Sequence, residues 1–242
     1  MVTEKKVRIG EAARILNVSV QTLRNWEKSG KLLAERSKGK QRYYSLQNLH
    51  KLTLNLQMLG LAWAKSSLPP ELPNEYYCER SDRFTSRVAK MGVELQNAGS
   101  ISEDMASLLT LVAGEIGDNS FAHNGANWPD IPGVFYAYDI DKRLIVLADR
   151  GRGVKATLRQ IRPSLTTDMD ALKVAFTEIV SGRSPEKRGN GLKVVRNVIE
   201  SKEIGLSFRS GIGLVDIPIG PGLMQIRMTD ENIRGTYAVI LF

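Results

Sequence analysis

Three prolines fall within the ten residues from Lys65 to Asn74, and no helical or strand period survives across them. That punctuation constrains the chain most, because it separates two stretches of different character. Residues 1–65 carry 13 Lys and Arg against 4 Asp and Glu, whereas residues 66–242 carry 21 against 22. The basic excess behind the net charge of +8 therefore lies wholly in the first quarter. A basic module joined to a neutral one suggests a polyanion-binding head on a body with another task. A merely solubilising positive face is the alternative. The chain is accordingly divided into a head, 1–65, a linker, 66–80, and a body, 81–242.

Some chemistry is excluded early. No apolar run approaches the ~20 residues that span a bilayer, and the N-terminal Met-Val-Thr-Glu-Lys-Lys has no apolar stretch behind its charges. Cys78 is the single cysteine, so neither an intramolecular disulfide nor a multi-cysteine zinc site is available. Two histidines leave little for imidazole-based metal chemistry. The expectation is a soluble, cytoplasmic protein with no membrane partner.

In the head, Ile9, Ala12, Ala13 and Leu16 recur at helical spacing. Asn17-Val18-Ser19 interrupts the pattern, and Ser19 is placed to N-cap a second helix from Val20 to Lys28. There Val20, Leu23 and Trp26 face inward, and Gly30 ends the helix. Two short helices joined by a tight turn form a helix-turn-helix pattern, whose second helix can enter the major groove. Residues 32–44 then read as two extended arms around a Lys38-Gly39-Lys40 tip, a wing with cations for phosphates. A further helix is expected from Ser45 to Ala64, about five turns, ending at the prolines.

Thr22-Leu23-Arg24-Asn25-Trp26-Glu27 followed by Gly39-Lys40-Gln41-Arg42-Tyr43-Tyr44 resembles the winged helix-turn-helix of MerR-type regulators and phage excisionases, over about residues 6–60. By that resemblance Gln21, Thr22, Arg24 and Asn25 face double-stranded DNA, with Arg36, Lys38, Lys40, Arg42 and Tyr43 on the wing. Leu23 and Trp26 belong to the core, and Glu27 pairs with a cation. Sensing members of the family continue into a long dimerisation helix. Here the candidate helix stops early, so a homodimer is left open.

The body opens with a capping box, Ser100-Ile101-Ser102-Glu103, and a helix whose Met105, Leu108, Leu109, Val112 and Ile116 share a face. Late in it, Glu115, Asn119 and His123 recur at every fourth position and form a polar stripe. A carboxamide oxygen there can ligate Mg²⁺, and a carboxylate one turn away can orient or deprotonate a water or hydroxyl. Residues 133–139 and 143–148 read as a hairpin running into Asp149-Arg150-Gly151-Arg152-Gly153. An aspartate ending a buried strand can accept an exocyclic amine, and glycines let the backbone turn closely. Arg188-Gly189-Asn190-Gly191 then opens a helix from Lys193 to Glu200, an N-terminus suited to an anion. Strands are expected at about 204–209, 213–218, 223–229 and 235–242.

Glu-x-x-x-Asn, Asp-x-Gly-x-Gly, Gly-x-Gly-Leu and a closing Gly-Thr strand, in that order, resemble the GHKL ATPases over about residues 80–242. The fold implied is α+β: the winged head followed by a Bergerat-type two-layer α/β sandwich with a mixed sheet. The resemblance implies ATP and Mg²⁺ as cofactors. Asn119 would hold the metal, His123 would stand in the same box, and Asp149 would meet adenine with Gly151 and Gly153 beside the base. Gly189 and Gly191 would lie against the phosphates, and Thr236 in the polar network around adenine. Residues 154–188 would form a lid, with Arg159, Arg162, Arg183, Lys187 or Arg188 reaching toward the γ-phosphate. Glu115 would be the catalytic carboxylate.

Three functions remain in view. The leading one is a DNA-binding transcriptional regulator in which nucleotide state sets DNA affinity. The second is an anti-sigma-like serine/threonine kinase that acts on a protein partner and is recruited by the head. The third is a degenerate ATPase body kept as a scaffold. A histidine kinase is disfavoured, because the histidines are His50 in the head and His123 in the asparagine box.

Overall fold

The computed structural model describes residues 5–16, 18–37, 39, 41–51, 55–125, 127–178 and 191–242, without the side chains of 47, 50 and 51. In the head, β1 (Lys6–Arg8), β2 (Glu35–Arg36) and β3 (Arg42–Ser45) form a small antiparallel sheet with β3 in the centre. Helices α1 (Ile9–Ile15) and α2 (Val20–Lys28) pack beside it. Ser19 caps α2 as expected, its Oγ accepting the Thr22 N–H at 2.9 Å. Gly30, at φ +74, ends α2 in a left-handed turn that lets Lys31 N–H reach back to the Trp26 carbonyl. Leu23 and Trp26 are buried, and the Lys31 ammonium sits 4.1 Å from the Trp26 ring centre.

The single helix expected over 45–64 is two. Helix α3 (Leu46–Lys51) follows β3 directly, and α4 (Leu56–Lys65) starts afresh behind Asn55, whose side chain accepts the Met58 N–H. Extended backbone at Asn55 and its own cap separate the two. Instead of projecting away, α4 lies on the large sheet against residues of β5 (Val134–Asp139), β6 (Leu144–Asp149) and β8 (Gln225–Leu241). Gly60 makes this approach close: a methyl there would stand 2.8 Å from Val146 Cγ1.

The large sheet runs β4 (Tyr77–Cys78), β5, β6, β8, β7 (Gly205–Ile217), and every pairing is antiparallel. This corrects the mixed sheet that the GHKL resemblance implied, and agrees with the antiparallel alternative that the order of helices and strands left open. It also joins the expected strands 204–209 and 213–218 into β7 and the later pair into β8, one long hairpin with register shifts at Ser210–Gly213. All six residues of β6 are buried because both faces of the sheet are covered. On one face lie α5 (Ser81–Asn97), α6 (Glu103–Asn124), α8 (Asp168–Thr177) and α9 (Gly191–Glu200), with Ile145, Leu147, Phe208 and Ile240 below them. On the other, Phe135, Val146, Tyr237 and Val239 share one apolar cluster with α4, Tyr76 and the head's Leu16, Leu23 and Tyr44. A third layer is thus added to the expected two.

Residues 66–80 are tied to this body. Tyr76 and Cys78 are buried, and Tyr77–Cys78 pairs with Val134–Phe135. The cap of α6 is Ser102, not Ser100, so the helix begins two residues later than the expected box. The region expected as a lid contains α7 (Gly153–Arg159) and α8, and α8 buries Leu172 and Phe176 in the core. That part is structural packing, not a free flap. Arg183, Lys187 and Arg188 lie outside the described residues.

Candidate functional site

Two sites take shape, one on the head and one in the body. On α2, Gln21, Arg24, Asn25 and Lys28 are exposed on the face opposite Leu23 and Trp26. Gln21 donates to Asn25 Oδ1 at 3.1 Å. A groove of about 430 Å³ runs between this face and the wing, lined by Gln21, Arg24, Glu27, Lys28, Arg36 and Arg42. Four cations against one carboxylate suit a polyanion. Glu27 accepts from Arg36 at 2.8 Å and Arg42 at 2.6 Å, fixing both guanidinium groups on the groove wall. The Arg36 and Arg42 hydrogen bonds hold the Glu27 carboxyl below its usual range. Tyr43 is half-buried, its hydroxyl donating to Gln41, while Tyr44 is core. Lys38 and Lys40 lie outside the described residues.

Thr22 departs from the rest. It is buried, its hydroxyl 2.8 Å from Ser19 Oγ and donating to Glu75 at 3.0 and 3.2 Å. Lys28 was missed by motif reasoning, although its spacing of four from Arg24 places it on the same face. Glu75 carried no sequence signal, since it reaches α2 only through the fold.

In the body, the C-terminal half of α6 gathers the other boxes. Asp149, ending β6, is fully buried and accepts from Ser120 Oγ at 2.8 Å, from Gly151 N–H at 2.7 Å and from the Thr236 hydroxyl. Burial pushes its pKa up, and the hydrogen bonds from Thr236, Gly151 and Ser120 act against that rise. Asn124, one turn beyond Ser120, donates to the Ser120 carbonyl at 2.8 Å and accepts the Arg152 N–H at 2.9 Å, closing the loop over the helix. Gly151 leaves no room for a side chain beside Asn124, and Gly235, at φ +59, leaves none beside Asp149. Gly153, at φ +76, presses on Ser210, whose Oγ accepts the Val154 N–H.

One helical step away, Glu115 and Asn119 are half-buried and converge on the first residue of α9. A methyl on Gly191 would stand 2.7 Å from Glu115 Oε2 and 2.8 Å from Asn119 Nδ2. The structure therefore brings Glu115, Asn119 and Gly191 together, and gathers Asp149, Gly151 and Thr236 around the adjacent Ser120 of α6, with Gly153 beside them against Ser210 and Gly235. His123 is exposed on the last turn, and Gly189 lies outside the described residues. Ser120 and Asn124 were missed, although polar residues interrupting the apolar face of Ile116 and Gly117 were visible in the helical period. A glycine-lined groove of about 370 Å³ lies beyond Gly151 and Gly153, edged by Arg152, Lys155 and Arg234, and neither Asp149 nor Asn119 lines it.

Arg150 points the other way from Asp149. Its wholly buried guanidinium donates to Asp130 at 2.9 Å from Nε and to the carbonyls of Trp63 and Ser66, the latter at 2.9 Å, at the carboxyl end of α4. Arg234 joins Asp130 at 3.0 Å. A cation at that end of α4 complements the helix dipole.

Among the described residues no helix is long and apolar enough to cross a membrane. No curated protein matches the chain. Residues 8–44, which comprise α1, α2 and the wing, match the family model of MerR family regulatory proteins, and the chain thus carries an N-terminal MerR-type DNA-binding domain.

Proposed function

We propose that the protein is a DNA-binding transcriptional regulator whose residues 81–242 are a GHKL ATP-binding domain that couples nucleotide state to DNA affinity. One observation carries the reading: α6 brings together a buried acceptor at the end of β6, Asp149, held by Ser120, and the neighbouring Glu115–Asn119 pair, which faces the start of α9. These residues fit ATP and magnesium in kind. The buried carboxylate, oriented by Ser120, Gly151 N–H and Thr236, is an acceptor for the adenine amine. The Asn119 amide oxygen would hold the metal, which neutralises phosphate charge when bound. The N–H groups at the start of α9 would receive phosphate oxygens. Glu115, beside Asn119, is within reach of the same end of α9 to take a proton from the attacking group.

Transmission to the head has a physical route. Asp149 and Arg150 are consecutive and face opposite sides of the sheet, and Arg150 grips α4. Calorimetric titration with Mg-ATP tests the reading: wild type should bind, and Asp149→Asn should lose most of the affinity. Duplex affinity measured with ATP, with ADP and without nucleotide should then differ by roughly 5–150-fold, the usual span of such coupling. No binding, or equal duplex affinity in all three states, overturns the proposal. The position of Glu115 also favours a second reading, phosphotransfer to a hydroxyl of a protein partner. Label transfer from ATP to that partner that disappears in Glu115→Gln would establish it.

A further inference from the structure

The first turn of the DNA-reading helix is already occupied by a carboxylate from the linker, which is tied to the body's sheet. Glu75 Oε1 accepts the Ser19 backbone N–H at 2.5 Å and the Thr22 hydroxyl at 3.0 Å, and Oε2 lies 3.2 Å from the same hydroxyl. Glu75 is no loose arm. The next residue, Tyr76, is buried, its carbonyl accepts the Tyr136 N–H at 2.8 Å, and Tyr77–Cys78 is a strand of the large sheet. The carboxylate is thus presented by the sheet edge, at the end of α2 that leads into its cationic face of Gln21, Arg24 and Lys28.

We propose that Glu75 stands where a DNA phosphate binds, so that the body competes with DNA for the start of α2 and the described structure is the closed, low-affinity form. A helix N-terminus and a hydroxyl beside it are among the donors that proteins offer to phosphate oxygens. Here those donors serve an internal anion. The Thr22 hydroxyl, assigned to DNA by its motif, is satisfied by Glu75. Opening requires α2 and residues 71–76 to part, which frees one phosphate site and removes one negative charge from the duplex-facing end. The proposal rests on the MerR-type head alone and stands whether or not the body binds nucleotide.

The test uses the full chain and a fluorescent mixed-sequence 24-base-pair duplex, read by anisotropy across a salt series. Glu75→Gln keeps the shape and removes the charge. Glu79→Gln removes the same charge from an exposed position four residues on, as the control for net charge. Glu75→Gln should raise duplex affinity about five-fold or more above Glu79→Gln across the salt series. Equal gains in both variants would reduce the effect to net charge and overturn the proposal. Weaker binding by Glu75→Gln would show that the carboxylate organises α2 for DNA, and would also overturn it. Wild-type protein gives a second arm free of folding artefacts. Hydrogen exchange in residues 71–76 should rise on adding the duplex, and added protection there would contradict displacement.

Discussion

Asp149 is a charge placed where charge is expensive, and its neighbours decide what that placement does. Because burial raises its native pKa above the ordinary value near 3.8, the folded chain binds this proton more tightly than the unfolded chain. The stabilisation from that proton is fully present below about pH 3.8 and is lost as pH rises through the raised native value. Asp149→Asn removes the titration while keeping the shape. Urea melts between about pH 4 and 7 should therefore show the variant gaining stability relative to wild type as pH rises. A constant difference would mean that Asp149 titrates as it does in an open chain. At this scale the sequence was readable where chemistry is local. Asp149, Asn119, Gly151 and Arg24 stand out in the sequence by type and spacing, and the expected helix or strand carries or borders each of them. Ser120 and Asn124 meet the Asp149 loop, and Glu75 meets α2, only across contacts between residues 28 to 56 positions apart.

Helix α4 shows what an element owes to its surroundings. Its composition, Leu56-Gln-Met-Leu-Gly-Leu-Ala-Trp-Ala-Lys65, fits either a continuing dimerisation helix or a sheet-covering one, and only the outer face of β6 and β8 chooses between them. Arg150 fixes that choice at the carboxyl end. Replacing it with Met would leave the Trp63 and Ser66 carbonyls without their buried donor and Asp130 with Arg234 alone. Arg150→Met should cost about 3 kcal/mol of unfolding free energy in urea melts, the scale for breaking a buried ion pair. A loss below about 1 kcal/mol would show that α4 is held by apolar contact only. The strands were legible as apolar runs, yet their division was not. The Ser210–Gly213 irregularity looks in sequence like a turn between two strands, and the pairing partner of each run cannot be read from the run itself.

At the scale of the whole molecule, the proline-rich boundary is real in sequence but does not release the body from the head. Phe135, Val146, Tyr237 and Val239 are covered by α4 and its neighbours in one shared apolar cluster. A chain of residues 66–242 should therefore expose an apolar sheet face, bind a hydrophobic dye and self-associate in light scattering, whereas residues 55–242 should do so far less. Equal behaviour of the two would mean that α4 contributes little to covering the sheet. The same arrangement has a consequence for how the chain is made. The Tyr237 hydroxyl donates to the Gln57 carbonyl at 3.0 Å across 180 residues, so the seat of α4 is built largely from a strand synthesised long after it. Contacts of such sequence separation form slowly, and domains generally fold in the order they leave the ribosome. During each round of translation the head's helices are complete well before the strand that seats α4, so, if the body competes with DNA as proposed above, a nascent or truncated polypeptide would bind duplex without that competition.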